Sequence, residues 1–138
     1  VKRVYATNNN CLQAAIASVL EIPLKEAPNV ACLPSGSVNK NYMEDIVRWA
    51  KRRGLGVVHF WWTDKVRLVI PSLFDVWVVA IGHNKNCEHD ESHAVVCRAL
   101  TEDGEVSLTF EHDPARTKLF VDPIEHCFFF VPLRPVKL

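Results

Sequence analysis

Apolar positions in the first third of the chain recur with the period of a helix; after Gly54 they gather into the short runs typical of strands. From Cys11 to Leu20 the sequence CLQAAIASVL puts Leu12, Ala15, Ile16, Val19 and Leu20 on one stripe. The other face carries only Ala14, Ala17 and Ser18, so neighbouring chain can approach the backbone from several sides. This pattern predicts a buried central helix. Thr7, Asn8, Asn9 and Asn10 precede it as N-cap candidates, and Pro23 follows it as a stop.

A second helix is predicted from about Tyr42 to Arg53, with Met43, Ile46, Val47 and Ala50 forming its apolar stripe. Asn41 and Glu44 have the spacing of a capping box, and Gly54 suits the C-terminal stop. This helix is amphipathic and therefore peripheral. The prolines, Gly36 and small polar residues of 28–39 predict a loop between the two helices. Five runs rich in Val, Phe and Trp then predict strands: Val57 to Trp62, Asp75 to Ile81, His93 to Leu100, Glu105 to His112 and Cys127 to Val131. Helices come first and strands follow, the order of an α+β fold with a largely antiparallel sheet.

Length and composition narrow the field of functions. At 138 residues and 49% hydrophobic, the chain is read as one domain spanning 1–138. Sixteen basic residues balance sixteen acidic ones, and Lys51-Arg52-Arg53 fits a helix C-terminus. A nucleic-acid partner is not expected. No apolar run has the length of a membrane span, so no membrane partner is expected and a cytoplasmic setting is. The odd set Cys11, Cys32, Cys87, Cys97 and Cys127, without a CxxC pair, argues against a disulfide framework and for a reducing compartment.

Cys11 opens the predicted buried helix, where unpaired backbone N–H groups favour a thiolate; it is a candidate nucleophile or, more plainly, the first core residue of that helix. A nucleophilic thiol requires a base, and His93 is the chosen one, set where a polar loop gives way to the apolar strand Ala94-Val95-Val96-Cys97. Asp113 is its partner. A three-residue hairpin loop over Glu102-Asp103-Gly104 pairs Thr101 with Glu105 and sets Asp113 directly across from His93, on the same face of the sheet. A two-residue loop instead sets Asp113 against Ala94 and turns the two side chains apart, so the triad makes a register prediction. Asp113 before Pro114 is also an ordinary turn residue, and His112 is the runner-up base.

The sequences Asn10-Cys11-Leu12-Gln13-Ala14-Ala15, Ser92-His93-Ala94-Val95-Val96 and His112-Asp113-Pro114, in that order, resemble papain-like cysteine peptidases. The nearest likeness is to the compact bacterial and phage branch that includes bacteriocin-leader peptidases. The resemblance implies a papain-like fold, a protein or peptide substrate and a catalytic triad of Cys11 as nucleophile, His93 as general acid and base, and Asp113 as the orienting residue. Such families usually carry a Gln about six residues before the cysteine as an oxyanion donor, where this chain has Tyr5. An amide among Asn8, Asn9 and Asn10 is the substitute, with Asn10 the choice, alongside the Cys11 backbone N–H.

The expected activity is thiol-dependent hydrolysis of a peptide, isopeptide or side-chain amide bond through a thioester. Glutamine deamidation and transglutaminase-like acyl transfer use the same apparatus, and a catalytically inert binding or inhibitory domain is the non-enzymatic alternative. No cofactor is expected. A zinc site at Cys87, His89, His93 and Cys97 is disfavoured, because four residues of strand separate the last two by about 13 Å. His83, His89, Asp90 and Glu91 read as a solvated loop. Phe60, Trp61, Trp62 and Trp77 read as core or sheet packing before a substrate groove, and Phe128-Phe129-Phe130 as a buried closing strand.

Overall fold

The computed structural model describes residues 2–7, 10–32, 35, 39–63, 76–84, 92–102, 105–115 and 121–134. Two helices, α1 (Cys11–Leu20) and α2 (Tyr42–Arg52), precede five strands among the described residues. These are β1 (Leu55–Trp61), β2 (Val76–Asn84), β3 (Ser92–Glu102), β4 (Glu105–His112) and β5 (Val121–Pro132). They form one antiparallel sheet in the order β1-β5-β2-β3-β4. The architecture is α+β, as the segregation of helical and strand patterns predicts. No helix among the described residues is long and apolar enough to cross a membrane.

The small side chains of α1 have the expected effect. Every residue from Leu12 to Ser18 is buried, with β2 and β3 on one side and the N-terminal segment and the 3₁₀ turn Leu24–Glu26 packed around the rest. Its C-terminus turns on Glu21, which adopts φ 54°. In contrast, α2 buries Ile46 and Ala50 against β1 and leaves its acidic and basic residues outside. It stops at Gly54, whose φ of 75° is the left-handed conformation glycine adopts without a Cβ clash. The Asn41–Glu44 capping box does not form: Asn41 is the N-cap, but neither helix N-cap makes a side-chain capping bond. Asn39 performs the local tethering instead, its Oδ1 accepting the Asn41 N–H at 3.0 Å and its Nδ2 donating to Asp45 at 2.8 Å.

Strand alternation divides the core in two. Val79, Ile81, Ala94, Val96 and Phe128 face the helices with Leu12, Ile16 and Ile46. Val78, Ala80, Val95, Cys97, Ala99 and Cys127 face away from them with Phe60 and Val106. A fully buried side chain such as Phe128 contributes about 3 kcal/mol through the area it removes from water. Burial pushes the Cys97 thiol up to about 12 and raises Cys127 as well, so both behave as small hydrophobes. Two strand expectations are corrected. His83 belongs to β2 and not to a solvated loop. β5 begins at Val121, six residues before the predicted start, and includes Pro123 where the β2–β5 register shifts, a position that tolerates a missing N–H.

Candidate functional site

Antiparallel pairing brings the C-terminal ends of β1, β2 and β4 and the N-terminal ends of β3 and β5 to the same end of the sheet. Cys11, the first residue of α1, meets His93, the second residue of β3, at this end, close enough for the thiol to act on the imidazole and raise its pKa. Asp113 lies just beyond β4. Its Oδ1 accepts a 2.8 Å hydrogen bond from His93 Nε2, with the two side chains only 3% and 9% exposed. With Nε2 committed to the carboxylate, Nδ1 is the ring nitrogen left for sulfur. The structure therefore brings Cys11, His93 and Asp113 into one line of contact.

The register that achieves this differs from the predicted one. Thr101 pairs with Val106 and Glu102 with Glu105, so the hairpin has the two-residue connection, whose residues 103 and 104 lie outside the described part. Continued unbroken, that register would turn Asp113 away from His93. Between Cys97, which pairs with Phe110, and Val96, which pairs with His112, β4 contains one extra residue, Glu111. This bulge shifts the count by one, and its continuation sets Asp113 against Val95, two residues from His93 on the same face. The expected contact is made through a bulge and not through the expected loop.

Burial would depress the His93 pKa, but hydrogen bonds to Asp113 and Cys11 and the charges of both override it, and the pKa is pushed up to about 9. The imidazolium is thus the favoured form near neutral pH. Asp113 also fills the turn role open to it, its Oδ1 accepting the Ala115 N–H at 2.8 Å. One carboxylate oxygen fixes both the turn and the imidazole.

Asn10 is buried beside Cys11, but its amide is directed into the scaffold. Its Nδ2 donates to Gln13 Oε1 at 2.9 Å and to Thr7 Oγ1 at 3.3 Å, while its Oδ1 accepts the Thr7 N–H at 2.8 Å. Both amide protons have protein acceptors. Asn8 and Asn9 lie outside the described residues. Gln13 extends the same network, donating to the carbonyls of Leu24 at 2.9 Å and Ala27 at 3.1 Å. His112, the runner-up base, donates its Nε2–H to the Val4 carbonyl at 2.7 Å and meets Tyr5 edge to face. It serves to anchor the N-terminal segment.

Of the zinc candidates, Cys87 and His89 lie outside the described residues, as do Asp90 and Glu91, while His93 is bonded to Asp113 and Cys97 faces the core. No group of three metal-ligating side chains occurs among the described residues.

One cluster has no counterpart in the sequence reading. Tyr42 at the start of α2 shares a 2.8 Å hydrogen bond with His126 Nε2, and His126 Nδ1 shares one of 2.9 Å with His59 Nε2. Burial and then the neighbouring His59 depress His126 to about 4, and burial followed by the charge of Glu125 pushes Tyr42 up to about 12. These residues are far apart in sequence and share no helix or hairpin, so no local spacing announces them. The chain matches no family model, no curated protein and no solved structure in the comparisons made.

Proposed function

We propose that this protein is a papain-like cysteine hydrolase that cleaves a peptide, isopeptide or side-chain amide bond. The observation that supports this reading is the placement of Cys11 beside His93, whose ring is hydrogen-bonded to Asp113, at one end of the sheet. With His93 held as an imidazolium, the proton that leaves the Cys11 sulfur has a stable residence, and the same proton is then available to the leaving amine. The Cys11 sulfur attacks the carbonyl carbon, the C–N bond breaks as His93 Nδ1 protonates the nitrogen, and a thioester remains. His93, now neutral, takes a proton from water as the water oxygen attacks the thioester and releases the acid. Asp113 keeps the ring in the tautomer and orientation both half-reactions need. The Cys11 backbone N–H, a first-turn amide without an intrahelical acceptor, is the donor assigned to the developing oxyanion.

Reactivity of the thiols tests this reading before any substrate is known. Iodoacetamide at neutral pH should alkylate Cys11, which is half-buried, faster than the exposed Cys32. Exposure alone predicts the opposite order. Across panels of peptide, isopeptide and glutamine amides, Cys11→Ala should abolish all turnover. Turnover retained in Cys11→Ala, or labelling ranked by exposure, rejects the mechanism.

A further inference from the structure

Next to His93 in β3, Ala94 opens a single row of paired residues that crosses the sheet toward its other edge. Ala94 pairs with Ile81, Ile81 with His126, and His126 with Trp61. Ala94 and Ile81 face the helices in the core beneath α1, and directly opposed residues share a face, so the whole row lies on the helix side. Its first three members are buried, whereas Trp61, the last, is 60% exposed. A large aromatic group thus stands open to solvent at the same end of the sheet as Cys11.

Trp61 rests on a braced support. Its ring lies 5.2 Å from that of His126 and 5.7 Å from that of His59, and the bonds from Tyr42 to His126 and from His126 to His59 lock both imidazoles. His126 is neutral at physiological pH because burial and its neighbour His59 depress it. The support is therefore uncharged. Beside it, a groove of about 410 Å³ runs between α2 and β1, lined by Met43, Glu44, Val47, Arg48 and His59. Val47 is 45% exposed, so both walls of this corner offer apolar surface to solvent.

Distance decides what fits there. Three strand spacings separate β3, which carries His93, from β1, which carries Trp61, or roughly 14 Å. An extended chain covers roughly 3.3 Å per residue, so a polypeptide leaving the triad across the strand ends reaches Trp61 after about four residues.

We propose that Trp61, with His59, Met43 and Val47, forms a specificity subsite for a large apolar side chain of an extended polypeptide substrate, about four residues from the bond presented to Cys11. This rests on the hydrolase reading and makes the substrate a polypeptide. An isolated glutamine or a small amide is too short to reach the subsite. Trp61 is a specificity residue and takes no part in bond cleavage.

A quenched-fluorescence peptide library, randomised one position at a time and cleaved by the full chain, tests the subsite alongside a single-residue fluorogenic amide. Wild type should select Phe, Leu, Met or Trp at one position three to five residues from the cleaved bond. Trp61→Ala should erase that selection and raise KM for the best peptide on the order of tenfold at nearly constant kcat, since it removes binding shared by ground state and transition state. Trp61→Phe should retain the selection, and the single-residue amide should not distinguish the variants. An unchanged selection profile in Trp61→Ala, or a loss carried by kcat on both long and short substrates, overturns the subsite and leaves the hydrolase reading in place. If wild type cleaves no member of either set, the hydrolase reading fails and the subsite fails with it.

Discussion

A histidine with a pKa of about 9 beside a thiol holds its proton near neutral pH, and in the proposed hydrolase it is only afterwards that proton's donor and acceptor. Of the influences on His93, burial works against the charged form, and the hydrogen bond to Asp113 is the largest that works for it. Removing the carboxylate charge while keeping the shape separates these influences. In Asp113→Asn the His93 pKa should fall, and the alkaline limb of the kcat/KM profile should move down from about 9. The rate at the optimum should drop on the order of a hundredfold or more, as expected when an acid–base group loses its fixed orientation. A pH–rate titration of the two proteins checks both effects. An unmoved alkaline limb would mean that Asp113 serves only the Ala115 turn and that His93 owes its proton to another group.

At the scale of elements, the triad depends on how α1 is held against the end of β4, and the N-terminal strap does much of that holding. Ser18 Oγ accepts the Val4 N–H at 3.0 Å and donates to the Ala14 carbonyl at 2.7 Å, while the Lys2 N–H reaches the Ser18 carbonyl at 3.2 Å. On the other side, the Val4 carbonyl accepts from His112, and the Ala6 N–H donates to the carbonyl of Pro114, next to Asp113. The strap thus links α1, which opens at Cys11, to the end of β4, which Asp113 follows. Ser18→Ala strands the Val4 N–H in a partly buried position and should cost about 1–3 kcal/mol, read from urea unfolding. It should also lower kcat with little change in KM, since alignment of the triad loosens and no substrate contact is lost. Two helices and most strand cores were legible because 3.6-residue and alternating patterns are local. The β3–β4 register was not: Glu102-Asp103-Gly104 suits two loop lengths, and no local pattern marks the bulge at Glu111, next to which His112 bonds to Val4. Asn10 shows the same limit, since which way a buried amide points is decided by Thr7 and Gln13 together.

For the whole molecule, two buried histidines at the same end of one sheet titrate in opposite directions. His93 binds its proton more tightly when folded, with a pKa of about 9 against the ordinary 6.5. Its contribution to stability is therefore complete below 6.5 and is lost as pH rises through 9. His126 binds its proton less tightly when folded, with a pKa of about 4. It contributes fully above the ordinary 6.5, and this is lost as pH falls through 4, because the unfolded chain takes up the proton first. The sequence exposes only half of this pair of opposites. His93 is marked by the apolar strand it opens, whereas His126 acquires its character from burial and from His59, which only the β1–β5 register and the docking of α2 bring about. Urea unfolding across the pH range can assign each slope, taken as the difference between wild type and a variant so that shared carboxylate titrations cancel. Asp113→Asn should flatten the loss between about 6.5 and 9. His126→Phe, which removes the titrating group, should reduce the acid-side loss between 6.5 and about 4 and leave the alkaline side as it is. Were both variants to shift both limbs together, His93 and His126 would be coupled through the sheet and would have to be treated as one titrating unit.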